Sequence, residues 1–322
     1  MPMRLACTPQ PFYDRSLSEG LAAIGALGFE GLELPVHRGN PWVSLDDLAA
    51  GGAAVDELRG ALEAAGLELT CLSIHQDGQL LLGPHHADTD AVHVGSPAEK
   101  AAFARARMEV AGRAAAALGL DLVIGFVGCE DYTRSFPWPD AGAWERMQPV
   151  FRERLLPVLD LYGELGVRFG QEPHPKQIVY NVETALEAVA LFGGHEALAF
   201  NLDPANLLLA GIDPVVFAAE LGPRVAHVHA KDGELVEHNA RRSGLMAHGD
   251  WARPDRGFRF RVPGWGDVPW KRLISELVVR DYAGWITVEN EDPIFAPEDG
   301  LAKAREFLAP LLPRGERRER WW

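Results

Sequence analysis

Short apolar runs recur along the chain, and each is followed by a stretch with helical spacing of its apolar positions. The runs are 4–7, 31–36, 67–74, 120–127, 167–172, 198–203, 225–229 and 285–289. Helical patterns fill 16–27, 55–65, 97–118, 144–165, 182–192 and 268–280, a short one opens at Asp213-Pro214, and 297–312 closes the series. Local signals agree with these bounds. Ser16 stands at an N-cap position, Gly28 and Gly66 at helix stops, and Pro97 in the first turn of its helix. Strands alternating with helices predict a parallel sheet, and eight such units predict an α/β protein with a single (β/α)8 barrel over residues 1–313. The charge run 314–320 reads as a solvated tail within 314–322, although Trp321-Trp322 at its end suggests docking on this chain or a partner subunit. Long segments 76–95, 128–143 and 233–267 read as loops, and loops of that length in a compact domain are usually functional or mobile.

Four of the apolar runs end in a side chain that binds cations. These are Glu172, Asp203, His229 and Glu289, on the fifth to eighth strands. Parallel strands carry their chemistry at their carboxyl ends, so the four converge at one mouth of the barrel. Three carboxylates placed together are costly unless a cation neutralises them, and three oxygens with one imidazole suit Mn²⁺, Mg²⁺, Co²⁺ or Zn²⁺. The competing reading is a set of structural carboxylates without a metal. Glu172 and Glu289 lie on strands that are not neighbours, so they flank a substrate from two sides. A metal gripping a carbonyl and the adjacent hydroxyl acidifies the carbon between them, and one carboxylate takes the proton while the other returns one. An isomer or epimer results; with a leaving group β to the carbonyl, the outcome is elimination.

Further candidates surround this centre. His174 serves either as a second acid/base group or to orient Glu172. Lys231 points the same way as His229 by strand alternation; it either binds a substrate oxygen or pairs with Asp232 or another carboxylate. His75, Glu33 and Asn206 are candidate substrate contacts, and His227 reads as a core histidine. Trp138 and Trp265 are candidates for an apolar wall against a sugar ring, and Arg259 and Arg261 for binding a substrate oxygen or phosphate.

Composition narrows the classes. Lys plus Arg number 31 and Asp plus Glu 46, so the formal charge is 31 − 46 = −15, and the sequence pI is near 5.2. An acidic chain of this kind is a poor nucleic-acid binder. Cys7, Cys71 and Cys129 form no CxxC pair and read as free thiols, mostly core residues, in a reducing compartment. With no basic-then-apolar leader and no bilayer-length apolar run, the expectation is a cytoplasmic protein without membrane association.

Six motifs together resemble the sugar phosphate isomerase/epimerase family with the xylose isomerase-like barrel: Gly31-Leu32-Glu33-Leu34, Glu172-Pro173-His174-Pro175, Asn201-Leu202-Asp203-Pro204, His227-Val228-His229-Ala230-Lys231-Asp232, Pro263-Gly264-Trp265-Gly266-Asp267-Val268-Pro269-Trp270 and Val288-Glu289-Asn290-Glu291-Asp292. The resemblance covers nearly the whole chain. It implies metal binding, often of manganese, by Glu172, Asp203, His229 and Glu289, with the two glutamates transferring protons. One departure is Asn206, where relatives often carry His. The Glu-Pro-His-Pro and His-Ala-Lys-Asp versions look most like the branch acting on 3-keto-glycosides, which holds C4 epimerases and β-eliminating lyases, some of them working with a small second subunit. The expected partner is therefore a keto-sugar or glycoside, and homo-oligomers are common on this barrel. A non-catalytic sugar-binding barrel is the reading outside enzymology. Endonuclease IV, a cousin with more His ligands and three zinc ions, fits neither the charge nor the single-metal set.

Overall fold

A computed structural model describes residues 3–130, 141–313 and 315. Trp138, the neighbouring Tyr132, Arg134 and Phe136, and the terminal Trp pair lie outside the described residues, as does nearly all of the tail. Eight parallel strands close into a barrel: β1 (Arg4–Cys7), β2 (Gly31–Pro35), β3 (Glu68–Ser73), β4 (Leu122–Gly125), β5 (Arg168–Gln171), β6 (Leu198–Leu202), β7 (Val225–Ala230) and β10 (Trp285–Val288). Neighbours follow chain order, and β10 pairs with both β1 and β7 to complete the ring. The strands of Glu172 and Glu289 are thus separated by β6 and β7, as the order of runs predicts.

The outer helices bury their apolar faces against this ring. They are α1 (Leu17–Ala26), α3 (Ala53–Ala65), α5 (Pro97–Leu118), α6 (Ala143–Leu165), α7 (Val182–Leu191), α9 (Pro214–Leu221), α11 (Trp270–Val279) and α12 (Pro297–Leu308). Ser16 and Ser96 cap α1 and α5 through capping boxes with Glu19 and Glu99, which satisfies donors at the helix start. Gly28, beyond the end of α1, has φ +83°, a conformation that side chains with a Cβ resist. The three cysteines are buried and free of disulfides. No helix among the described residues is long and apolar enough to cross a membrane.

Four short helices and a hairpin lie where the sequence reading assigns a loop or no element. The helices are α2 (Leu45–Ala50), α4 (His75–Gln79), α8 (Pro204–Leu209) and α10 (Glu237–Ser243). The hairpin pairs β8 (Asp232–Leu235) antiparallel with β9 (Phe258–Arg261). It starts one residue after barrel strand β7, so the excursion 233–267 stands directly over the mouth near His229.

Candidate active site and metal centre

The hairpin is anchored by one carboxylate. Asp232 accepts hydrogen bonds from the backbone N–H groups of Gly233 (2.8 Å), Gly264 (2.9 Å) and Val268 (3.0 Å) and from Trp270 Nε1 (2.9 Å). The Lys-Asp and Pro-Gly-Trp-Gly motifs are therefore one structure. A Cβ at Gly266 would fall 2.4 Å from Asp232 Oδ1 and 2.5 Å from the Gly233 carbonyl oxygen, so the turn closes only around glycine. This anchoring sets Lys231 and fixes what lies above the mouth.

Each strand-end residue is then placed by its own local chemistry. Glu172 follows β5 and donates its backbone N–H to the Gly125 carbonyl at 3.0 Å. Its carboxylate accepts from Asn201 Nδ2 (2.7 Å), Asn206 Nδ2 (2.8 Å) and His75 Nε2 (3.0 Å). Asp203 caps α8, where Oδ1 accepts from the N–H groups of Ala205 (2.9 Å) and Asn206 (3.1 Å), and this leaves Oδ2 aimed inward. His75 opens α4, and its ring meets Phe126 edge-on at 4.7 Å. A Cβ on Gly78 of the same helix would strike the Phe126 carbonyl oxygen at 2.5 Å, so α4 sits this close only with glycine there.

The four expected ligands converge. His229 Nδ1 lies 3.2 Å from Glu172 Oε2, 3.2 Å from Glu289 Oε2 and 4.0 Å from Asp203 Oδ2. Behind it, His229 Nε2 donates to Glu33 Oε2 at 2.9 Å, and His227 Nε2 donates to the same oxygen at 3.2 Å. With Nε2–H committed to Glu33, Nδ1 is the atom turned toward three carboxylates. Burial lowers the His229 pKa, but Glu33, Glu289 and Glu172 outweigh it and raise it well above the ordinary imidazole value, so a cation would take the place of the Nδ1 proton. Both His229 Nδ1 and Asp203 Oδ2 are buried and make no hydrogen bond, although each has ion-pair neighbours. A divalent cation answers this arrangement: it satisfies Nδ1 and the facing oxygens together, and a carboxylate behind the ligating histidine is the usual support. Glu172, Asp203 and His229 each offer an atom within 4.8 Å of the others.

Charge within the cluster points the same way. Burial works against ionisation of Glu172, but His229 and His75 outweigh it and hold Glu172 well below the ordinary carboxylate range. Glu289 is likewise held at about 2, because Lys231 and His229 overcome its burial. Burial lifts Asp203 to about 7, with Glu172 and Glu289 adding to the effect and Lys231 opposing it. The chain's own cations, Lys231 and His229, are thus shared among three carboxylates, and the most deeply buried of them, Asp203, keeps a raised pKa despite Lys231. Lys231 Nζ sits 2.9 Å from Asp203, 2.7 Å from Glu289 and 3.2 Å from Glu291; its pairing is with these groups and not with Asp232.

A cavity of about 500 Å³ opens over the cluster. It is lined by Glu33, His75, Glu172, His174, Asn206, Lys231 and Glu289 among the expected residues. His174 is held in one tautomer: its Nδ1 accepts the Lys176 N–H at 3.1 Å, so the neutral ring carries its proton on Nε2. Burial pulls its pKa down to about 4, which keeps the ring neutral. Asn206 is both a cavity residue and the donor that fixes Glu172, and Glu33 spends Oε2 on two histidines.

Two expectations are corrected. Arg261 does not line the cavity, because it lies on β9 with Nε on Asp292 (3.0 Å) and Nη1 on Glu234 (2.7 Å). Trp265 also stands outside, half exposed and against Phe295 with ring centres 4.9 Å apart. The apolar wall is made instead by Leu209, Met246, Trp251 and Phe260, with Phe126 across the mouth. The alternation Phe258-Arg259-Phe260-Arg261 was the available signal for a strand with one apolar face.

Comparison with known proteins places this geometry. The family model described as "Xylose isomerase-like TIM barrel" matches residues 21–311. The uncharacterized protein YfiH of Bacillus subtilis (strain 168) is 28% identical over 312 residues, covering 89% of this chain and 92% of that one. An inosose dehydratase of Bacillus thuringiensis (strain Al Hakam) is 34% identical over 180 residues, covering 50% of this chain and 56% of that enzyme. In structure, the apo form of 3-keto-D-glucoside 4-epimerase YcjR from E. coli superposes with a TM-score of 0.65 at 16% identity, covering 94% and 99% of the two chains, and at that identity it supports the fold alone. The chain belongs to the xylose isomerase-like TIM barrel family.

Proposed function

We propose that the chain is a divalent-metal-dependent isomerase or epimerase of a keto-sugar, working by proton transfer next to the carbonyl through an enediolate. The observation that carries this reading is His229 Nδ1 facing Glu172, Asp203 and Glu289 while Nε2 is tied to Glu33. The metal proposed is Mn²⁺, with Mg²⁺, Co²⁺ and Zn²⁺ as alternatives of the same ligand chemistry. When bound, such an ion draws electron density from a carbonyl and its neighbouring hydroxyl and so acidifies the adjacent C–H.

The chain's own residues supply the rest. Glu289 is the more open carboxylate, with a side chain 20% exposed against 2% for Glu172. It is held ionised beside Lys231 and is suited to take a proton from substrate. Glu172, fixed by three donors, faces it across the centre and carries the second transfer. Lys231, 2.7 Å from Glu289, provides an ammonium for the oxygen on which charge develops. His174, neutral with its proton on Nε2, is a hydrogen-bond donor to the oxygen of a departing group or to one on which charge develops.

That donor and the partial inosose dehydratase relative favour a second reading, a lyase in which the same carbanion expels a β-substituent, as in cleavage of a 3-keto-glycoside. The test is incubation of Mn²⁺-loaded protein with a 3-keto-glucoside in D₂O, quenched with chelator and read by proton NMR. Deuterium beside the ketone with the glycoside bond intact supports isomerase chemistry, and free aglycone supports the lyase. Absence of both, for this ketone and for free ketoses and keto-inositols, removes the proposal.

A further inference from the structure

The cavity lining includes polar residues, among them Gln10, His37, His75, Gln76, His174 and Lys176, and an apolar group, Leu209, Met246, Trp251 and Phe260. Behind this apolar wall lies a cluster of its own. Ala205, Leu209, Phe258 and Phe260 are buried together, with Leu208 and Leu245 packed against them, separate from the main core. The wall is continuous with the reactive centre. Lys231 Nζ, 2.9 Å from Asp203, sits 5.0 Å over the Phe260 ring, and Trp251 lies beyond with its centroid 5.0 Å from that of Phe260.

Trp251 is held open to the cavity. It is 44% exposed, yet its other contact is the buried Arg256, whose guanidinium carbon is 3.9 Å from the ring centre. Arg256 is fixed in turn by the Gly249 carbonyl at 2.9 Å. An indole held by Arg256 and Phe260, 44% exposed and on the cavity lining, offers apolar aromatic area at low entropic cost.

We infer that Met246, Trp251 and Phe260, carried by the excursion between β7 and β10, form a subsite for a flat apolar substituent on the sugar, so that the preferred ligand is an aryl glycoside and not a free monosaccharide. This rests on the sugar reading proposed above. An aryl group projecting from a sugar held at Lys231 and Glu289 meets Phe260 and then Trp251, and so buries apolar aromatic area that a bare monosaccharide does not bring. Arg256 is a positioning residue for the indole.

The test is titration calorimetry of Mn²⁺-loaded protein with phenyl and methyl β-D-glucopyranoside, which lack the ketone and are not turned over. The expected result is at least tenfold tighter binding of the phenyl compound. Trp251→Ala brings the two to parity by weakening only the phenyl glycoside, and Trp251→Phe retains most of the preference. Equal binding of both by the native protein, or a phenyl preference that survives Trp251→Ala, overturns the subsite while leaving the sugar reading in place. Failure of both glycosides to bind overturns the subsite and counts against the sugar reading as well.

Discussion

Glu33 shows how one residue's role depends on what stands in front of it. In sequence it is a glutamate at a strand end and a candidate substrate contact. In the structure its Oε2 bridges His227 and His229 and fixes the tautomer of the latter. Glu33→Gln exchanges that acceptor for an amide and should weaken Mn²⁺ binding roughly 10- to 100-fold, as losses behind a ligating histidine do. Calorimetric titration with Mn²⁺ checks this; unchanged affinity would remove Glu33 from the centre. Glu289→Gln keeps the shape and removes the proposed base. Turnover should vanish while the far-UV circular dichroism and the thermal midpoint stay near those of the native protein, and near-normal turnover would take Glu289 out of the mechanism.

At the scale of elements, the hairpin β8–β9 is the part that differs from the sequence reading. Asp232→Ala would leave Gly264 N, Val268 N and Trp270 Nε1 without their acceptor, and the expected loss is on the order of 3 kcal/mol. Gly266→Ala forces a Cβ against the same carboxylate, with an expected loss of about 1–3 kcal/mol. Urea denaturation measures both, and stability equal to the native protein in either variant would refute the anchoring role. The barrel strands and outer helices were legible because each carries its own periodicity and caps, as in Ser96-Pro97 through Glu99. The convergence of Glu172, Asp203, His229 and Glu289 was legible because strand ends in a parallel barrel share one mouth. Arg261 was misread because a basic side chain beside a Gly-rich turn says nothing of its partners, and Asp292 and Glu234 lie far away in sequence or on the paired strand. The wall formed by Trp251 and Phe260 was missed for a related reason. The hairpin strands lie inside a long segment rich in Gly, Arg and Trp that reads as one loop, and the excursion's position over the mouth follows from β8 starting one residue after β7, which only pairing with β9 reveals.

For the whole molecule, the proposed centre would tie folding to metal. The candidate ligands lie on or just after β5, β6, β7 and β10, elements spread across half the barrel, so a bound ion would link them only in the folded state. Mn²⁺ at a hundredfold excess over its Kd should raise stability by about 2.7 kcal/mol, and chelator should lower the thermal midpoint and abolish turnover together. A midpoint indifferent to both would argue that no cation bridges these strands.

The most direct test of the metal centre is titration of the protein with Mn²⁺, following the free ion by electron paramagnetic resonance, in the native chain and in Asp203→Asn. One ion bound per chain in the native protein, lost or weakened at least tenfold in Asp203→Asn with the fold retained, is the expected result. No binding by the native chain, or equal binding by both proteins, would contradict the assignment of Glu172, Asp203, His229 and Glu289 as its ligands.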